Sequence, residues 1–207
     1  WSAQEAFGNY LPSVPLDKED EFREFLELIH SGKIITGIDV RRQKRDGTPI
    51  DYSIYAAPLH GLDGQINGKV AVLVDITERK RVEDELWRSS QMLKLVLDNM
   101  PSYVFWKDRS SVYLGCNVLF AANAGLKHPE EIAGLTDLDL PWKDAEAESY
   151  RTDDSMVMGT GIPKLNYEET QFTAEGIVTA VRTSKIPLRN PEGDIIGILG
   201  TFEDITE

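Results

Sequence analysis

The chain has 207 residues, room for one or two domains, and its 41% hydrophobic and 28% charged residues make an ordinary globular balance. A net charge of −13 argues against nucleic-acid binding, which needs a basic face for phosphates, and against docking on anionic lipid. No apolar run nears the ~18 residues of a membrane span, no signal-peptide pattern opens the chain, and the single Cys116 excludes an internal disulfide, as suits a reducing compartment.

The chain starts at Trp1 rather than Met and reads as a piece of a longer protein. Asp17 to Ile29 predicts an amphipathic helix, with Phe22, Phe25, Leu26 and Ile29 at i, i+3, i+4 and i+7. Strands follow at 36–45, 50–58 and 68–76, with Gly turns at Asp46-Gly47 and Asp63-Gly64. The basic cluster Arg41, Arg42, Lys44 and Arg45 reads as a solvated strand end. From Thr77 to Met100 the sequence is rich in helix formers, with Thr77 as a candidate N-cap and Glu78 and Glu83 in the early turns. Val82, Leu86, Ser89, Leu93, Val96 and Met100 repeat at spacings of 4, 3, 4, 3 and 4, a heptad seam with a weak rung at Ser89. About 24 residues give a rod of roughly 36 Å. The seam predicts a parallel homodimer; packing of the stripe on the following domain is the alternative.

Beyond it come strands at 103–108 and 112–117, a helical stretch at 142–158 with a stop at Gly159-Thr-Gly161, and strands at 164–173, 177–188 and 197–205. The Gly159/Gly161 pair lacks the third glycine of a phosphate loop and follows a helix rather than opening one. Asp-Ile-Thr-Glu occurs twice, at 75–78 and 204–207, an offset of 204 − 75 = 129 residues. At that offset residues 57–78 and 186–207 share 9 identities in 22 positions, among them the pairs Pro58/Pro187, Gly64/Gly193 and Gly68/Gly197. A period of this length is a domain, not a solenoid repeat, so the chain is a tandem of two related domains.

The segments "VFWKDRSSVYLGCN", "LTDLDLPW" and "IPLRNPEGDIIGILGTFEDITE" resemble PAS domains, sensory modules of bacterial signalling proteins such as sensor histidine kinases and diguanylate cyclases. The resemblance implies an α+β fold: two PAS-like domains, each an antiparallel sheet flanked by short helices, joined by a long helix. It divides the chain into residues 1–76, a PAS-like domain lacking its two opening strands; 77–100, the connecting signalling helix; and 101–207, a complete PAS domain. In the first copy Trp1-Ser2-Ala3-Gln4-Glu5 is similar to the helix that follows those opening strands. The resemblance also gives Asp75, Thr77, Asp204 and Thr206 a role in signal transmission, where the last strand hands over to an output helix.

It further implies a small-molecule pocket between sheet and helices. A photoactive flavin pocket resembles Asn-Cys-Arg-Phe on a helix, whereas here Cys116-Asn117 ends a strand. A haem pocket needs an axial ligand, usually His, and residues 144–158 contain none; Met156 and Met158 read as core. His30, His60 and His128 stand beside turn signals and read as surface residues. No cofactor and no metal are expected, and a small-molecule ligand of unknown identity is left open. Candidate lining residues are the aromatics Tyr103, Phe105, Trp106, Tyr113, Phe120, Trp142, Tyr150 and Tyr167, with core packing as the competing role, and Asn117, for which helix capping competes. Alternation places Arg182 and Ser184 on one strand face and Thr183 and Lys185 on the other, and either cation could meet a ligand carboxylate. Asp153-Asp154 reads as a solvated helix face.

No Ser-His-Asp set, Walker loop, kinase phosphoacceptor region or cyclase motif is present, so catalysis is expected outside this segment. The expected function is a non-enzymatic sensory input module, in a two-component system or a related pathway. It would be cytoplasmic with a parent that could be membrane-anchored, homodimeric through the 77–100 helix, in contact with an output domain and without nucleic-acid partners. The alternatives are a dimerisation module with a filled core and a flavin or haem redox sensor.

Overall fold

The structure is a computed structural model that describes residues 2–8, 11–142, 144–174 and 176–206. Trp1 and Glu207, the outermost residues of the motifs read from the sequence, lie outside the described residues. The chain forms two compact units, Trp1–Ser89 and Ser90–Glu207, whose boundary falls inside one long helix.

In the first unit a short helix α1 (Ala3–Ala6) and a 3-10 turn (Leu16–Lys18) precede helix α2 (Glu19–His30). Asp17 thus belongs to the 3-10 turn and not to the helix. Helix α2 carries Glu19, Asp20 and Glu21 in its first turn and His30 in its last, matching charge to the helix dipole. Phe25 and Ile29 pack on Ile35, Val40, Ile54 and Ala56 of the sheet. That sheet has three antiparallel strands in the order β1 (Ile35–Gln43), β2 (Pro49–His60), β3 (Ile66–Asp75). Gly47 closes the β1–β2 turn at φ +83°, a region open to glycine at little cost. The basic cluster is not uniformly solvated. Arg42 is buried, with Nη1 3.0 Å from Glu21 on α2, because β1 alternates faces and its even position points under the helix.

Helix α3 (Thr77–Asp98) stops two residues short of Met100. None of its residues is fully buried. The second unit continues with β4 (Tyr103–Asp108), β5 (Tyr113–Cys116), α4 (Val118–Asn123), two 3-10 turns, α5 (Asp144–Thr160), β6 (Lys164–Phe172), β7 (Val178–Arg189) and β8 (Ile195–Asp204). Its five-stranded antiparallel sheet has the order β5-β4-β8-β7-β6, so the last strand lies at the centre. One face carries the main core, Phe105, Tyr113, Phe120, Ile132, Leu140, Trp142, Val181 and Phe202. A smaller cluster joins Val157 and Met158 of α5 to Ile198 of β8.

The repeated tetrapeptide has the same geometry in both units. Asp75 accepts the Thr77 N–H at 2.9 Å, Ile76 N–H donates to Asp51 O at 2.9 Å, and Thr77 Oγ1 accepts the Asp51 N–H at 3.0 Å. In the second unit Asp204 accepts from Thr206 N at 2.8 Å, Ile205 N–H donates to Ala180 O at 2.8 Å, and Thr206 Oγ1 accepts from Ala180 N at 3.0 Å. Asp51 and Ala180 are themselves 180 − 51 = 129 residues apart. The motif is therefore a clip that fastens the end of the last strand to its neighbour and turns the chain away from the sheet. Thr77 consequently does not spend its hydroxyl acceptor on the helix, as a simple N-cap would; the strand amide of Asp51 takes it.

Candidate ligand cavity

The second unit holds a partly open cavity between the inner sheet face and Tyr113, Phe120, Asp137, Trp142 and Tyr150. About 340 Å³ of space lies in it and at its mouth, part of it open to solvent, and about 20 Å³ of this admits the centre of a water molecule. Strand alternation decides which side chains reach it. Phe105 and Lys107 of β4, Val181, Thr183 and Lys185 of β7, Phe202 of β8, and Glu169 and Gln171 of β6 all face inward. Tyr113, Phe120, Trp142 and Tyr150 complete the wall. The aromatic side is tightly nested, with Phe105 and Phe120 centroids 4.9 Å apart and Phe120 and Phe202 5.9 Å apart. Gly200 makes this possible: it pairs with Phe105 across the β4–β8 ladder, and a Cβ there would sit 2.1 Å from the Phe105 ring.

The other pole is a buried charge network. Lys107 Nζ donates to Asp137 Oδ1 and Oδ2 at 2.8 and 2.7 Å and to Asp154 Oδ2 at 2.8 Å. Lys185 Nζ donates to Asp154 Oδ1 at 2.6 Å and to Tyr150 O at 3.0 Å. Tyr113 OH donates to Asp137 at 2.8 Å. All four charged side chains are at most 2% exposed. Each is held from a different direction. Asp137 rides on a 3-10 turn closed by a reciprocal Thr136–Asp139 capping box, and that loop is tied to β5 through Gly134 N–H to Tyr113 O and Tyr113 N–H to Leu135 O. Asp154 lies on the stripe Ala147, Tyr150, Asp154, Val157, Met158 of α5, the helical spacing of a buried face. Burial, and then the Asp137 charge, pushes the Tyr113 hydroxyl well above the usual phenol range. Burial raises the Glu169 carboxyl, against the hydrogen bond it accepts from Thr183 Oγ1 at 2.6 Å. Three buried polar atoms of lining residues, Trp142 Nε1, Tyr150 OH and Gln171 Oε1, have no hydrogen-bond partner.

Of the residues singled out from sequence, Phe105, Tyr113, Phe120, Trp142, Tyr150 and Lys185 line this cavity. Tyr103 does not; it stacks on Phe202, its direct partner across the β4–β8 ladder, at 4.4 Å. Trp106 lies on the opposite sheet face, its indole across Gly115 in a groove with Leu93, Leu97 and Leu114. Asn117 is buried and saturated: its side chain accepts from Val104 N and Phe120 N and donates to Ser102 O and Leu97 O, so it caps α4 and ties the last turn of α3 to the sheet. The Tyr167 ring sits beside the cavity, 3.9 Å from the Lys164 ammonium. Arg182 and Ser184 are on the outer face, Arg182 with Glu203 and Glu168 and Ser184 with Asn166. Asp154 is fully buried, not solvated, because it shares a face with Ala147 and Val157. Lys107, Asp137, Glu169, Gln171 and Thr183 were not singled out. A lone Lys two residues from Phe105 on an apolar strand is the signal that could have found Lys107, and the apolar helix stripe around Asp154 the one that could have placed it in the core.

Cys116 is buried, and burial pushes its thiol up to about 12, which leaves it unreactive. His30, His60 and His128 are exposed. Met158 packs on Val157 and Ile198, and Met156 is about half exposed. Among the described residues no group of three or more His, Cys, Asp or Glu is placed to hold a metal ion.

Residues 97–207, more than half of the chain, match the family described as PAS fold, and residues 3–78 match the one described as PAS domain. The chain belongs to the PAS family. It is similar to a diguanylate cyclase of Vibrio cholerae serotype O1, 31% identical over 137 residues, which are 63% of this chain and 40% of that protein. The chain therefore spans less than half the length of this curated relative. Among solved structures it is similar to the Vibrio cholerae VqmA dimer in the absence of target DNA, at 27% identity and TM-score 0.52 over 56% of this chain and 52% of that one. It is equally similar to VqmA bound to DPO, at 27% identity and TM-score 0.52 over 56% and 57%. The α+β reading of two PAS domains joined by a helix holds for this chain.

Proposed function

We propose that this chain is a non-catalytic sensory input module, in which the cavity of the second PAS domain takes up a small molecule and the result is read out through β8 and α3. The carrying observation is an aromatic cavity with a polar pole that leaves Trp142 Nε1, Tyr150 OH and Gln171 Oε1 unpaired. Two mechanical routes leave it. Phe202 of β8 leads to the Asp204–Thr206 clip, where an output helix would begin. Phe120 leads through Asn117 to the Leu97 carbonyl at the end of α3. Binding would bias two arrangements of these elements, a population shift rather than chemistry. VqmA, described both as a dimer and bound to DPO, supports a dimeric, ligand-binding reading. The net charge of −13 supports a module that leaves nucleic acid to other parts of its parent, and no helix among the described residues is long and apolar enough to cross a membrane.

Native mass spectrometry of the purified chain, with an absorbance spectrum, tests this. A colourless protein carrying an extra small mass, lost when Thr183→Phe fills the cavity, is the expected result. Visible bands would point to a flavin or haem instead. The small water-accessible space, about 20 Å³, favours a second reading, an assembly module with a filled core. Bare chain mass together with intact dimers in both proteins supports that one.

A further inference from the structure

The charge count of the cavity narrows its ligand, on the reading that the cavity is a ligand site. Lys107 and Lys185 are matched one for one by Asp137 and Asp154. Outside the lining, Lys164 is matched by Asp153 at 2.7 Å. Glu169, the remaining ionisable carboxyl of the wall, is half-buried and already holds its own partner, the Thr183 hydroxyl at 2.6 Å. The pole is therefore electrically closed, and an added ion would be left without a counter-charge in a dehydrated site. This corrects the expectation that Lys185 could pair with a ligand carboxylate.

Hydrogen-bonding capacity is nonetheless left over. The three Lys107 donors are taken by three carboxylate contacts. Lys185 uses two of its three, on Asp154 and Tyr150 O. Gln171 Oε1 needs a donor, and Tyr150 OH can give or accept. The opposite wall is built of ring faces and edges from Phe105, Tyr113, Phe120, Trp142 and Phe202, which favour a flat apolar guest. The space open to the centre of a water molecule is only about 20 Å³, which limits a guest to one ring at most and requires the side chains of the wall to give way to admit it.

We infer that the ligand is a small uncharged molecule with a single aromatic or heteroaromatic ring, whose polar edge offers an acceptor to Lys185 and a donor to Gln171. Carboxylates and ammonium compounds of the same size are excluded by the closed pole.

Three one-ring probes of matched size test this on the full chain at pH 7 by isothermal titration calorimetry: benzamide, benzoate and benzylamine in its protonated form. Benzamide is expected to bind, with benzoate and benzylammonium at least about a hundredfold weaker because each buries an unmatched charge. Gln171→Leu is expected to weaken benzamide roughly five- to tenfold through the lost acceptor, with the circular dichroism spectrum unchanged. Benzoate or benzylammonium binding as tightly as benzamide would overturn the uncharged class while leaving the cavity as a ligand site. An unchanged benzamide affinity in Gln171→Leu would overturn the assigned polar edge. Binding of none of the three at millimolar concentration, with the chain folded, would overturn the ligand-binding reading and the inference together.

Discussion

Lys107 is the residue on which the second domain turns. Its ammonium neutralises two buried carboxylates and lies 4.5 Å from the Tyr113 ring centroid. Lys107→Met keeps the stem volume but leaves Asp137 and Asp154 with one cation between them. A loss of about 3–5 kcal/mol in unfolding free energy is expected in urea titration, the usual cost of stranding a buried charge. The same change on exposed Arg182, Arg182→Met, should cost under about 1 kcal/mol, because its pairs with Glu168 and Glu203 are at the surface. Glu169 gives a pH signature. Burial raises its carboxyl in the folded state, so it binds its proton more tightly folded than unfolded. Its contribution is fully present below the unfolded value of about 4.3 and is lost as pH rises through the folded one. Glu169→Gln should therefore gain stability relative to the parent chain at pH 8 and not at pH 4, read as the difference in denaturation midpoints. A constant difference across that range would show that Glu169 is not held in this way.

At the scale of elements, the clip at each strand end is the device that repeats. Thr77→Val preserves shape but leaves the Asp51 N–H, partly buried, without its acceptor. Thr206→Val removes the acceptor of the exposed Ala180 N–H, which water can replace. Each should lower the stability of its own domain by about 1–2 kcal/mol, Thr206→Val at the low end. Hydrogen exchange should be faster at Asp51 in the first variant and at Ala180 in the second, and not the reverse. In the intact parent, Thr77→Val should weaken signal transfer while both domains stay folded; full transfer would remove the clip from the pathway. The elements themselves were legible. The Asp46-Gly47 turn, the amphipathic α2 and the strand pairs across Gly64 and Gly193 follow from local rules, and the boundaries differ by a residue or two. The capping role given to Thr77 was not right, because its competing partner is a strand amide 26 residues earlier in the chain.

For the whole molecule, α3 presents Val82, Leu86, Leu93 and Val96 with 51–71% of their surface exposed. A stripe of this kind on a single chain suits pairing with a second copy. Leu86→Asp combined with Leu93→Asp should convert a dimer into a monomer in light-scattering chromatography, with the circular dichroism spectrum unchanged. A parent chain that is already monomeric at high micromolar concentration would end the helix-pairing proposal.

What the sequence determined alone is the tandem of two PAS domains, the strands and helices of each, and the place where each sheet hands over to a helix. These depend on periodicity, turn residues and an internal repeat, all of which act between near neighbours or between two copies of one pattern. Only the tertiary structure decided which charges meet. Lys107, Asp137, Asp154 and Lys185 stand on four separate elements, 30, 47 and 31 residues apart along their bonded pairs. They converge because β8, the last strand, inserts between β4 and β7 and sets the register of both. A one-residue slip in either ladder would turn Lys107 or Lys185 to the outer face. Nothing in the local pattern around either lysine carries that register, so the neutral, closed pole of the cavity could not be read before the sheet was assembled.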